Sequence, residues 1–160
     1  MKQWLQIGSY IVAPLLVYDA MVIGSFFTQR GMAWYRTLHL PAITPPGWMF
    51  GVAWTVIYTC LAISFIIVLN KYDSVVKWIY YVSIFGFVVN LVMNVAWSYF
   101  FFGNQLLLMG FVWAIALEIQ TILLMFIVSY QSTLAALLFL PYVIWGGFAV
   151  VLSGLIWAIN

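Results

Sequence analysis

Charged side chains are scarce in this chain. Three acids and five lysines or arginines make up 5% of 160 residues, against 68% that are hydrophobic. A soluble domain carries about 25% charged residues, so a folded body with so few must turn most of its surface to lipid. The formal net charge of +2 is too small to point to a nucleic-acid partner. Cysteine and histidine are almost missing. Cys60 alone allows neither an intramolecular disulfide nor a CxxC redox pair. His39 alone cannot supply the paired axial ligands of a membrane haem b. A zinc site draws several ligands from His, Cys and carboxylates, and no segment clusters them, so no metal is expected. There is no Walker loop, dinucleotide fingerprint, HExxH or nucleophile motif, and no lysine deep in an apolar run to hold a retinal. These absences argue against nucleophilic and metal catalysis.

What is present is apolar sequence in long runs. A bilayer core about 30 Å thick needs around 20 apolar residues in helical form. Five stretches meet that length: residues 4–27, 46–69, 75–102, 106–127 and 134–159. The first begins like a signal peptide after Lys2. Pro14 and Asp19 interrupt it and no small-x-small cleavage site follows, so it is expected to persist as the first helix. Polar links at 70–74, 103–105 and 129–132 are short and force antiparallel neighbours. The sequence thus predicts an all-α integral membrane protein, a single antiparallel bundle of five transmembrane helices over residues 1–160. Lys2, Lys71 and Lys77 outnumber Arg30 and Arg36 across the bundle, which places the N-terminus inside.

One link is long. Residues 28–45 hold Arg30, Arg36 and His39 beside Trp34 and Tyr35. A loop of that length in a compact protein is often functional; the readings are a lid or a tether with interfacial aromatics. Asp19 and Glu118 are the acids placed within spans. Ionised carboxylates at that depth are costly and usually face the bundle interior or a wet cavity. Each is read as a proton relay or ligand partner, or as a protonated acid that joins helices.

The third span carries Asn90, Asn94, Trp97 and Phe101 at i, i+4, i+7 and i+11, one narrow stripe of a helix. Carboxamides in hydrocarbon need partners. The stripe therefore lines a pocket for a flat ligand with a few polar atoms, or bonds helix to helix. Phe50, Trp54 and Tyr58 form a similar stripe, as do Trp145, Ala149 and Leu152, with Gly146 and Gly147 removing bulk beside Trp145. Trp4, Trp78 and Trp157 sit at span ends as interfacial anchors. Trp54, Trp97, Trp113 and Trp145 lie deeper, where a cavity explains them better. Ala20 with Gly24, and Ala149 with Ser153, are small-xxx-small pairs that pack helices within one chain or between copies.

The long loop and the start of the second span carry Trp34-Tyr35, Leu38, Pro41, Pro45-Pro46, Phe50-Gly51, Trp54-Thr55 and Tyr58. This resembles the WYxxLxxP…PPxxxFGxxWTxxY signature of the translocator protein family (TspO/MBR, tryptophan-rich sensory proteins). Asn94, Trp97-Ser98 and Phe100-Phe101-Phe102 continue the match, as do Leu140-Pro141-Tyr142, Trp145, Phe148-Ala149, Leu152, Trp157 and Asn160. The resemblance implies a five-helix bundle, often a homodimer, whose first loop closes a pocket for tetrapyrroles and, in some members, cholesterol or synthetic ligands. It implies Tyr35 over the pocket, with Trp54, Asn94, Trp97, Trp145 and Ala149 lining it; the stripe adds Asn90. Porphyrin enters as a ligand and no cofactor is required. The expected role is that of a receptor or transporter in porphyrin handling or stress sensing, its partners the lipid bilayer and an amphiphilic small molecule.

In some bacterial members the tryptophans matching Trp54 and Trp145 are linked to light-dependent porphyrin breakdown, which makes these two the candidate catalytic residues. Proton-coupled transport through Asp19 and Glu118 is a further alternative. The chain also departs from the family. It lacks the Tyr and basic residue of the animal cholesterol segment, Ser153 stands where Asn is usual, and Leu40 stands where Lys is frequent. These departures fit a bacterial member, in the cytoplasmic membrane, without tight sterol binding.

Overall fold

The computed structural model describes residues 2–160, with side chains from residue 7 onward. In hydrocarbon a chain must satisfy its own backbone donors and acceptors, and every apolar run here does so as a helix. The elements are α1 (Lys2–Tyr35), α2 (Gly47–Leu69), α3 (Lys77–Ser98) continued by a π-helical turn (Tyr99–Gly103), α4 (Leu107–Ser129), a short α5 (Thr133–Leu137) and α6 (Leu140–Ile159). Five segments are long and apolar enough to cross a membrane, and no strand occurs among the described residues. The chain is an all-α membrane protein.

Three boundaries differ from the sequence expectation. The first helix does not stop at residue 27. It continues to Tyr35, about 50 Å in all at the usual helical rise, so its last turns outrun a bilayer core of about 30 Å. Gly31 permits this extension to lie on the π turn, because a Cβ there would overlap the Phe102 backbone carbonyl. The expected loop at 28–45 therefore shrinks to a connection at 36–46. The third span ends in a π turn, closed by Asn104 N–H donating to Tyr99 O at 2.8 Å. Consecutive α-helical side chains point about 100° apart; the widened turn buries Phe101 and Phe102 together while Tyr99 stays exposed. The fifth span breaks before Pro141, which has no N–H to continue a ladder and occupies the first turn of α6.

The helices close a ring: α1 packs on α2 and α3, α3 on α4, α4 on α6, and α2 on α5 and α6. At one end Phe65 stacks on Phe87 at 4.4 Å, with Phe139 against Phe87 at 5.5 Å. Polar side chains stitch the helices together. Ser64 Oγ donates to Ala135 O at 2.8 Å, Trp113 Nε1 to Met93 O at 2.8 Å, and Gln131 to Ser83 Oγ. Trp113 is thus a fastener between α3 and α4 instead of a cavity wall. Both small-xxx-small pairs are spent inside the chain, since Ala20 and Ser153 are buried and Gly24 lies against Ser98. Trp78 and Trp157 are exposed near span ends, as interfacial anchors require. The side chain of Trp4 lies outside the described residues. Asp19 is exposed on the outer face of α1, not turned into the bundle as its charge had suggested.

The Gly31 contact yields a test. Gly31→Ala should destabilise the bundle by about 1–3 kcal/mol, the usual cost of overpacking, read as a lower unfolding midpoint in detergent. Gly8→Ala, where a Cβ meets nothing within 4 Å, should not lower the midpoint, since Ala is the better helix former.

Candidate ligand cavity beneath the first loop

The N-terminal end of α2 and the C-terminal ends of α1, α3 and α6 meet at one end of the bundle, under the connection at 36–46. Between α1, α2 and α3 they leave a cavity of about 630 Å³, within the range of about 300–1,000 Å³ typical of small-molecule sites. Tyr35, Trp54, Asn94 and Trp97 border it. Trp54 and Trp97 stand side by side with ring centres 6.4 Å apart and planes inclined by 37°. Trp97 is backed by Phe101, stacked at 5.6 Å. Tyr35, at the end of α1, leans on Phe102 at 5.5 Å. The aromatic wall is therefore braced from behind and does not depend on a ligand for its shape.

Asn94 sits at the floor, and both ends of its carboxamide are occupied. Tyr58 Oη donates to its Oδ1 at 2.6 Å, and its Nδ2 donates to Tyr142 Oη at 2.7 Å. One side chain of α3 thus ties α2 to α6 at mid-depth. Asn90, one turn away and fully buried, is bonded to α4. Its Nδ2 donates to Gln120 Oε1 at 2.6 Å and Thr121 Oγ1 at 2.9 Å on α4. Of the two readings of the Asn stripe, helix joining describes Asn90, whereas Asn94 joins helices and borders the cavity as well.

Trp145 and Ala149 are not in the wall of this cavity. Trp145 stands one layer back, edge-on to Phe50 at 5.5 Å and 82°; Phe50 is the residue that borders the space. Ala149 borders a second void of about 20 Å³ behind Trp54 and Trp97, with Glu118, Tyr142 and Gly146. Gly146 and Gly147 make room for the Glu118 carboxyl of α4, whose Oε2 a Cβ at 146 would overlap.

Several wall residues are absent from the sequence-based set. Met21, Ser25, Thr28, Met32 and Arg36 come from α1 and its end, and Thr44 from the loop. Their spacing of three and four residues marks one face of α1, and small or hydroxyl-bearing residues on that face are the signal that identifies it. Arg36 is the one formally charged side chain of the wall among the described residues. Thr44 Oγ1 is buried there without a hydrogen-bond partner.

The loop over the cavity is latched by the C-terminal residue. His39 N–H donates to Asn160 Oδ1 at 2.9 Å, and Asn160 Nδ2 donates to His39 O at 3.0 Å. Asn160 Nδ2 also reaches Ile156 O at 2.9 Å, which fixes the amide to the end of α6. Inside the loop, Thr44 N–H donates to Pro41 O at 2.9 Å and Thr37 Oγ1 to Trp34 O at 2.7 Å. Asn160→Ala removes the reciprocal pair and should raise amide hydrogen exchange across 36–46 by about tenfold, as expected for losing roughly 1–1.5 kcal/mol of local hydrogen bonding. Exchange in α4, measured in the same sample, should not change.

Comparison with known proteins matches this arrangement to one group. The model of the TspO/MBR family matches residues 11–158. The tryptophan-rich protein TspO of Archaeoglobus fulgidus is 37% identical over 94% of this chain and 96% of its own length. The tryptophan-rich protein TspO of Bacillus cereus is 33% identical over 95% of this chain and 97% of its own length. The human translocator protein is 28% identical over 98% and 91%. Five spans, the braced tryptophan wall beneath the first loop and a match over almost the whole length together make the chain an integral membrane protein of the TspO/MBR family.

Proposed function

We propose that the cavity under the first loop binds tetrapyrroles of the protoporphyrin type, and that the protein acts in porphyrin handling or stress sensing in the cytoplasmic membrane of a bacterium. The observation that carries this reading is the pairing of a two-indole wall with a single cation at the mouth. Trp54 and Trp97 bring two adjacent indoles to the cavity, and an aromatic pair contributes about 0.5–1.5 kcal/mol beyond area burial. Arg36, exposed at the loop end of the cavity, has no acid beside it in the wall, and a guanidinium pairs with carboxylates through two parallel hydrogen bonds. Unpartnered Thr44 Oγ1 adds a polar contact point on the same side. A planar macrocycle with acidic side arms matches this division between ring wall and charged rim.

Of the two tryptophans tied to photo-oxidative breakdown, Trp54 borders the cavity and Trp145 does not, so a ligand here would meet one of them directly. Pairing of two copies stays a family expectation, since the two small-xxx-small pairs are used within the chain.

Quenching of tryptophan fluorescence by protoporphyrin IX, in bilayer discs of zwitterionic lipid, tests the reading. Arg36→Gln should weaken protoporphyrin IX binding about tenfold, equivalent to about 1.4 kcal/mol, and leave binding of its uncharged dimethyl ester unchanged. Tyr35→Ala should weaken both ligands, and Trp145→Phe should alter neither by more than about twofold. Absence of saturable quenching in the wild type would remove tetrapyrroles from the account.

A further inference from the structure

Behind the cavity wall, two of the buried polar atoms that lack a partner in the protein come from residues around one small space: Trp97 Nε1 and Glu118 Oε2. They belong to different helices, α3 and α4, yet both residues border the same void of about 20 Å³. The coincidence has a structural cause. Gly146 of α6 carries no side chain, and the Glu118 carboxyl occupies the place its Cβ would take. Tyr142, which also borders the void, already accepts from Asn94 Nδ2 at 2.7 Å.

The geometry points to a hydration site in this void, where one water molecule bridges the Trp97 indole to the Glu118 carboxyl. The volume fits one water, which needs roughly 10–15 Å³ and two to four polar partners. The indole N–H is a donor only and the Glu118 oxygen accepts. A single water accepts from the first and donates to the second, satisfying both atoms at once. Neither atom has a direct hydrogen-bond partner among the described residues.

The site gives Glu118 a role that does not depend on which ligand the protein takes. Trp97 borders both spaces. Its ring face lines the large cavity while its nitrogen edge is held from behind through the water. Glu118 is therefore a positioning residue: it sets the ring that a ligand would meet without touching that ligand. Trp54 borders the same two spaces, so the pair of indoles forms a partition between the large cavity and the hydrated acid.

Solid-state NMR of the ligand-free protein, labelled with ¹⁵N-tryptophan in bilayers, tests this directly. The Trp97 indole signal is assigned by its loss in Trp97→Phe, and transfer of water magnetisation to it is timed against the other indoles. The wild type should show transfer as fast as the exposed Trp78, and Glu118→Gln, which keeps an acceptor, should retain it. Glu118→Leu should lose it and move the indole proton upfield, as expected for a broken hydrogen bond. Gly146→Ala, which displaces the carboxyl, should do the same and serves if Glu118→Leu does not fold. Slow transfer in the wild type would overturn the hydration site, and fast transfer that survives both Glu118→Leu and Gly146→Ala would overturn the part given to Glu118.

Discussion

The carboxamide of Asn94 holds the middle of this protein together. It receives a hydrogen bond from Tyr58 on α2 and gives one to Tyr142 on α6, at 2.6 and 2.7 Å. In water such bonds are exchanged for solvent bonds at little net gain. In hydrocarbon there is no solvent to replace them, and a polar group must find a protein partner. Three helices are therefore fixed in rotation about their own axes by one side chain. Once α2, α3 and α6 are set in that way, Trp54 and Trp97 are brought to the same side and the space above Asn94 is walled by rings.

A cavity in a membrane bundle needs such bracing. Lipid tails are as apolar as the helices, so no hydrophobic force pushes helices together, and close packing decides the structure. Helices free to slide would close a gap of about 630 Å³. Here the wall is stiffened by Phe101 behind Trp97 and by Phe102 beside Tyr35, both supplied by the π turn. Gly31 lets α1 approach that turn closely, and Asn160 pins the loop across the opening. Each of these serves the same end of the molecule. At the opposite end Phe65 stacks on Phe87 at 4.4 Å.

Much of this was legible from the residues. Five apolar runs gave five spans because length and composition alone decide what crosses a bilayer. The inward stripe of Asn90, Asn94, Trp97 and Phe101 followed from helical spacing, and three of the four are buried to 2% exposure or less. Spacing cannot say which neighbour a buried face meets. Asn90 and Asn94 share one stripe, yet Asn90 bonds to α4 and Asn94 to α2 and α6. Trp145 was placed in the cavity wall for being deep and aromatic, and Phe50 stands in front of it. The end of α1 was misplaced because apolar composition fades at residue 28 while the helix, supported by the π turn, does not. Arg36 escapes a reading by composition for the same reason. By sequence it is a loop charge, and the helix that ends at Tyr35 carries it to the rim.

The structure of the protein with protoporphyrin IX bound, by cryo-electron microscopy or crystallography, is the most direct measure of the central claim. The macrocycle should lie against Trp54 and Trp97, beneath residues 36–46, with a carboxylate in reach of Arg36. A macrocycle found on the lipid-facing surface, or against Trp145 with the space between α1, α2 and α3 unfilled, would contradict it.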